Sequence, residues 1–282
     1  MPRTLIAIHA HPDDEASKTA ATVARYAREG VRCILVTATG GEEGEYLNPS
    51  FAGRDPADLP DLPELRAREL ARSAGIIGYQ EVISLGFRDS GMAGTAANAD
   101  SGSFAALPLE DAAKPLVELI RRERPQVVIS YGENQAFYPH PDHIRVFEAA
   151  RTALQLACDP LAWPELGDAW RVPKWYWSLW TRERFQAVAK ELANRGIEPP
   201  FRMQQRDGDD HLVTTRIDVS GTLAVARDAL LAHESQIDPS TPFWFAISPE
   251  EMAAIYPFEE YHLVGSAEEE EENDLFAGVE LS

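Results

Sequence analysis

Cysteine is nearly absent: Cys33 and Cys158 are the only two in 282 residues. Two thiols cannot build a disulfide framework or a cysteine-ligated zinc site, and Cys33, inside an apolar run, reads as a small buried hydrophobe. Long apolar runs are missing too, since none approaches the roughly 18 residues of a membrane span. The first apolar run passes straight into charged residues with no small-residue cleavage site, so the chain reads as cytoplasmic, with no membrane partner. Basic charge is scarce: 26 Lys and Arg stand against 46 Asp and Glu, for a net charge of −20. So acidic a surface repels nucleic acid and anionic lipid. A small-molecule substrate is the expected partner, and nothing in the pattern specifies an oligomeric state. There is no internal repeat. No GxGxxG follows the first strand, so a dinucleotide site lacks its phosphate loop.

What is present is enough apolar residue, 44% of the chain, for one sizeable core. The first 160 residues alternate strand-like and helix-like segments. "TLIAIHA" (4–10), "VRCILVTAT" (31–39), "EVISLG" (81–86) and "QVVISYG" (126–132) are short apolar runs, hence strands buried on both faces. Between and after them, 14–29, 63–78, 108–123 and 141–157 carry helical periodicity with Pro at starts and Gly at ends. This order predicts an α/β fold: a mostly parallel sheet sandwiched by helices. The rest, "KWYWSLWT" (174–181) as a strand, 182–195 as a helix, "HLVTTRIDV" (211–219) as a strand and 220–234 as a helix, is a C-terminal elaboration on the same domain. One domain over 1–282 is expected, with a core of about 1–160 and an elaboration of about 161–282. The acidic segment 267–273 reads as solvated and mobile, because like charges in sequence repel.

In parallel sheets ligands sit outside the C-terminal strand ends, and there the unusual polar residues gather. "HPDDE" (11–15) follows the first strand and "YPHPDH" (138–143) the fourth. The phrase His-Pro-Asp thus occurs twice, each time at a strand-to-helix turn where Pro fits the first helical position. In the usual doubly wound order the first and fourth strands are neighbours, so the two turns face each other. A lone His-Pro-Asp would be weak evidence, since its aspartate can serve as a helix cap. Two at matching strand ends supply imidazoles and carboxylates in the number a catalytic metal needs: two histidines and one carboxylate with an open fourth position. A second carboxylate beside the ligands, Asp13 next to Asp14, can take the proton of the activated water. Two His and one carboxylate suit Zn2+ and also accept Fe2+.

"AHPDDE" (10–15) together with "HPDH" (140–143) resembles the LmbE-like, or PIG-L-like, family of metal-dependent N-acetylglucosamine deacetylases. That resemblance implies a Rossmann-like fold and hydrolysis of the amide on a glucosamine nitrogen. It implies that His11, Asp14 and His143 hold the metal, usually zinc, and that Asp13 acts as general base and then acid. His140 would stabilise the oxyanion, with Asp142 orienting it, and Tyr138 would polarise the substrate carbonyl. "TGGEEGE" (39–45), "FRDSGMAGT" (87–95), "VPKWYW" (172–177), "AHESQIDP" (232–239) and "ENDLFAGVE" (272–280) are similar to the branch that handles mycothiol. Two activities live there: deacetylation of N-acetylglucosaminyl-inositol, and amidase cleavage of mycothiol S-conjugates. Segment 211–282 and Lys18, on the same helical face as Asp14, resemble the amidase; "FRDSGMAGT" resembles the deacetylase. The amidase is the expected activity. By the same resemblance Arg66 and Asp89 grip sugar and inositol hydroxyls, and of the loop acids Glu42, Glu43 and Glu45 one, taken as Glu43, touches the sugar. His9 reads as structural, while His211, His233 and His262 read as remote from both motifs.

Overall fold

The structure is a computed structural model that describes residues 2–135, 138–199, 209–266 and 271–280. β1 (Thr4–His9) buries all six of its residues. It lies between β2 (Arg32–Thr39) and β4 (Val127–Ser130), parallel to both. β3 (Glu81–Phe87) extends the sheet beyond β2, and β5 (Lys174–Leu179) extends it beyond β4, again parallel. β7 (Phe258–Leu263) and β6 (Thr215–Asp218) then add on antiparallel. The order is β3-β2-β1-β4-β5-β7-β6. The expected neighbours, the first and fourth strands, are paired, Leu5 opposite Val127 and Ala7 opposite Ile129.

Successive residues of a strand point to opposite faces, and both faces are covered. Leu5, Ala7, Cys33 and Leu35 pack under α2 (Ala20–Arg28), α3 (Leu62–Ile77) and α7 (Leu223–Leu231). Ile6, Ile8, Ile34 and Val36 pack under α4 (Leu109–Glu123) and α5 (Pro141–Ala157). Local chemistry sets the helix ends. Asp61 accepts from the Glu64 N–H at the start of α3, and Gly78 ends it at φ 100°. A smaller core joins α6 (Arg182–Asn194) to α8 (Pro242–Phe245) and α9 (Pro249–Ile255) through Phe185, Leu192, Phe243 and Ile247.

Four details depart from expectation. The helix read over 14–29 is two helices, α1 (Asp14–Lys18) and α2, broken at Thr19 (φ −138°, ψ 0°), whose buried hydroxyl lies 3.1 Å from His9 Nε2. β3 is not buried on both faces: it is the edge strand, and Val82 is 40% exposed. β7 lacks the apolar pattern of a strand because Glu259 and Glu260 interrupt it; both are buried, and Glu259 Oε2 accepts from the Thr22 N–H and the Tyr261 hydroxyl. The acidic segment is tied down at its end: Glu272 takes Lys174 Nζ at 2.6 Å and the Tyr176 hydroxyl at 2.8 Å, and Glu271 pairs with Arg216. Residues 267–270 of that segment lie outside the described residues. Among the described residues no helix is long and apolar enough to cross a membrane.

Candidate functional site

β1 ends at His9, and the chain turns through Ala10, His11 and Pro12 into α1. The Asp14 carboxylate folds back onto this turn, where its Oδ2 accepts from the His11 N–H at 2.9 Å. Across the gap, His140 sits at the N-cap of α5 with Pro141 behind it, and His143 stands in the first turn. The pairing of β1 with β4 brings the two turns face to face. His143 Nε2 lies 3.4 Å from Asp14 Oδ2, and the His11 and His143 rings are 5.5 Å apart. Ligand atoms of His11, Asp14 and His143 all fall within 4.8 Å of one another, and all three residues are buried.

The protonation chemistry around this trio suits a cation. Burial lowers the pKa of His143 to about 4, so its ring is neutral at pH 7, and its buried Nε2 has no hydrogen-bond partner. Burial opposes a charge on Asp14, but Lys18, at 2.6 Å from Oδ1, and the two histidines outweigh it and hold the carboxyl well below its usual range. Burial also works against charge on His11, yet the carboxylates of Asp14, Asp142 and Asp89 prevail and raise its pKa well above the ordinary imidazole value. Its Nε2 lies 3.2 Å from Asp142 Oδ2. Without an ion the His11 ring is therefore a cation with a proton on each nitrogen. Nε2 points at Asp142, and Nδ1, which faces Asp14 at 3.4 Å, is the nitrogen that would exchange its proton for a metal. A buried orphan nitrogen, a carboxylate held in its charged form and an imidazole oriented by a carboxylate behind it are donors that could hold a divalent ion. A second trio, His11, Asp89 and His140, meets the same spacing. It would need the His11 nitrogen already given to Asp142, and Asp89 already accepts from the Glu43 and Gly91 N–H groups.

The other expected residues lie around the trio. Asp13, whose side chain is 27% exposed, has its pKa raised by burial despite the opposing charge of Arg66. Tyr138 is half exposed, with its ring 5.3 Å from His143. His140 Nδ1 accepts from the Asp142 backbone N–H at 3.2 Å, which leaves a proton on Nε2 of the neutral ring; burial and the charge on His11 lower its pKa. Asp142 makes contacts here through both its main chain and its side chain. It orients His140 through its main chain, while its carboxylate, fully buried, holds His11 and takes the Ser90 N–H at 3.0 Å.

Arg66, expected to grip sugar and inositol hydroxyls, is directed into the protein. It is 4% exposed, and its guanidinium turns inward to Gly41 O (2.8 Å), Pro12 O (2.7 Å) and Asp13 Oδ2 (3.3 Å). A Cβ at Gly41 would fall 2.1 Å from Arg66 Nη1, so glycine there is required. Asp89 is buried, and its charge is favoured by His11 and by the Gly91 N–H. Glu43 stands exposed in the loop after β2, 3.5 Å from Arg88.

Sequence reading missed several neighbours. Tyr131, at the end of β4, stacks on His143 (centroids 4.4 Å) and donates its hydroxyl to Asp14 Oδ2 at 2.7 Å. His233, taken as remote, is fully buried and lies 2.6 Å from Glu15 Oε1. Its only sequence signal is the placement of a polar triplet, "HES", at the end of a helix. A cavity of about 460 Å³ opens beside Lys18, Tyr138 and His143 and runs away from the loops of β2 and β3. Its far wall is Trp177, Leu179, Trp180, Phe185, Phe243 and Trp244.

The family model described as GlcNAc-PI de-N-acetylase, PIG-L, matches residues 6–154. A 1D-myo-inositol 2-acetamido-2-deoxy-alpha-D-glucopyranoside deacetylase of Streptomyces scabiei (strain 87.22) is 39% identical, covering 98% of this chain and 89% of the relative. A mycothiol S-conjugate amidase of Streptomyces coelicolor is 38% identical, covering 98% and 97%. Among solved structures, the N,N'-diacetylchitobiose deacetylase from Pyrococcus horikoshii superposes with a TM-score of 0.65 at 18% identity, over 93% of this chain and 84% of that one; at this identity the likeness is one of fold.

Proposed function

The chain belongs to the GlcNAc-PI de-N-acetylase (PIG-L) family of amide hydrolases, and from that premise we propose that it is a zinc-dependent amidase that cleaves the glucosamine–cysteine amide of mycothiol S-conjugates, releasing glucosaminyl-inositol and a mercapturate. The observation that carries the choice is the cavity. An acetyl group extends one methyl beyond its carbonyl and would leave nearly all of the 460 Å³ empty. An S-conjugated acylcysteine fills such a space, and the aromatic wall matches its apolar thiol substituent. Polar groups lie on the other side of the trio, with Asp89 and Glu43 over β3 and β2. The substrate therefore runs along the strand order, its sugar and inositol toward β3 and its acyl group toward β5. Lys18 stands between the trio and the cavity, where it would meet the carboxylate that hydrolysis creates on the departing mercapturate.

His11, Asp14 and His143 would hold the metal. When bound, a divalent ion there polarises the amide carbonyl and lowers the pKa of a water toward about 7. Asp13, its pKa raised by burial, would take a proton from the attacking water and return it to the departing glucosamine nitrogen. His140, neutral and protonated on Nε2 through the Asp142 main chain, donates to the carbonyl oxygen as it gains charge, and Tyr138 donates beside it. Asp142 keeps His11 in the tautomer that presents Nδ1.

The test is a direct comparison of kcat/KM on a bimane adduct of mycothiol and on N-acetylglucosaminyl-inositol. A higher value for the adduct is expected. A preference for the acetylated sugar overturns the amidase assignment in favour of the deacetylase, while Asp13→Asn with undiminished turnover of both would remove the general base.

A further inference from the structure

Asp13 is one of three described residues other than glycine with positive φ, at 107°. Such a conformation costs an ordinary residue energy and persists only where its surroundings impose it. Asp13 occupies the N-cap position of α1, yet its side chain makes no capping bond, so helix capping does not account for it. Both ends of the peptide that joins it to Pro12 are held instead. Pro12 O accepts from the Arg66 guanidinium at 2.7 Å, and the Asp13 N–H donates to Glu15 Oε2 at 2.9 Å.

Glu15 is fully buried, and its other oxygen takes the Ser73 hydroxyl at 2.5 Å and His233 Nε2 at 2.6 Å. His233 comes from the C-terminal elaboration, 218 residues away, and the segment that carries it is anchored. Ser235 gives its N–H and hydroxyl to the two oxygens of Glu69, each at 2.7 Å, and Gln236 donates to Glu45 O at 2.9 Å. A carboxylate caught between a serine, a histidine and a backbone N–H in a closed interior has little freedom to rotate. None of these groups reaches the cavity or the metal-holding trio.

We propose that Glu15 and His233 are positioning residues that, opposite Arg66, clamp the Pro12–Asp13 peptide and thereby aim the Asp13 carboxylate. The inference rests on Asp13 being the general base. His233 locks Glu15, Glu15 fixes the Asp13 N–H, Arg66 fixes the carbonyl on the other side, and the resulting φ of Asp13 sets where its carboxylate points. Misplacement of a reacting group by about 1 Å can cost about 10²-fold in rate.

A double-mutant cycle tests this on the full metal-loaded protein, with kcat, KM, bound metal and melting temperature read for each variant. Glu15→Ala and His233→Ala should each lower kcat by about 10- to 100-fold, with KM and metal content unchanged. In an Asp13→Asn background the same substitutions should cost nothing further in kcat, because the group they aim is gone. His233→Gln, which keeps a donor for Glu15, should restore most of the loss and stands in if Glu15→Ala does not fold. Equal losses of kcat in both backgrounds would overturn the positioning role and leave a structural one. An Asp13→Asn variant as active as the native protein would instead remove the general base, the premise on which the clamp rests.

Discussion

Tyr131 lies flat on the His143 ring, tilted by 11° at 4.4 Å, while its hydroxyl bridges the Ala10 N–H (2.9 Å) and Asp14 Oδ2 (2.7 Å). One residue at the end of β4 thus touches the end of β1 and two members of the trio of His11, Asp14 and His143. Removing only the hydroxyl, as in Tyr131→Phe, leaves a buried N–H without its acceptor and frees one side of the Asp14 carboxylate. A stability loss of about 1–3 kcal/mol is expected, with metal affinity weakened about 10- to 100-fold. Thermal denaturation and a competitive chelator titration measure the two separately. Unchanged metal affinity would limit Tyr131 to packing.

Stripping the protein with a strong chelator should abolish amide hydrolysis, and Zn2+ should restore it. The same treatment should lower the melting temperature, because an ion bound to the folded state at 100 times its Kd stabilises it by about 2.7 kcal/mol. Activity that survives complete metal removal, checked by elemental analysis, would refute the assignment of His11, Asp14 and His143.

Trp180→Ala shortens the aromatic wall of the cavity without touching the trio. The kcat/KM for the bimane adduct should fall by about 10- to 200-fold, the range expected for lost apolar contact in a substrate pocket. Turnover of the acetylated sugar should stay within about twofold of its starting value. Equal losses on both substrates would place the acyl group somewhere else.

Burial pushes the Cys33 thiol up to about 12 and keeps it fully inaccessible, whereas Cys158 is partly exposed. The thiolate is the nucleophile. A maleimide at neutral pH should therefore label Cys158 alone in the folded protein and both residues after denaturation, as read by mass spectrometry. Fast labelling of Cys33 in the folded protein would show that β2 opens.

Much of this molecule can be read from its chain. The parallel strands show as short apolar runs, and the two His-Pro-Asp turns fall at their ends, so the pairing of β1 with β4 suffices to bring His11, Asp14 and His143 together. What escaped reading depends on contacts between distant segments. The Asp142 carboxylate meets His11 across 131 residues and His233 meets Glu15 across 218, and no local pattern encodes either meeting. The inward turn of Arg66 follows from the tight loop at Gly41, and α1 separates from α2 where Thr19 reaches His9. β7 is masked by two glutamates whose burial only the finished sheet explains. The aromatic wall needs β5, α6 and α8 to converge, and only Trp177, Leu179 and Trp180 of its six residues fall in the strand legible at 174–181.

The sheet also separates two duties along its width. The trio and Asp13 stand over β1 and β4, while the cavity wall is built from β5, α6 and α8, which pack in a small core of their own. Substitutions at 177–185 and 241–244 can therefore change which amides are admitted without disturbing how the bond is broken. Divergence of substrate range on this architecture needs no compensating change at either His-Pro-Asp turn, and a library confined to the wall is the economical way to redirect the protein toward new acyl groups.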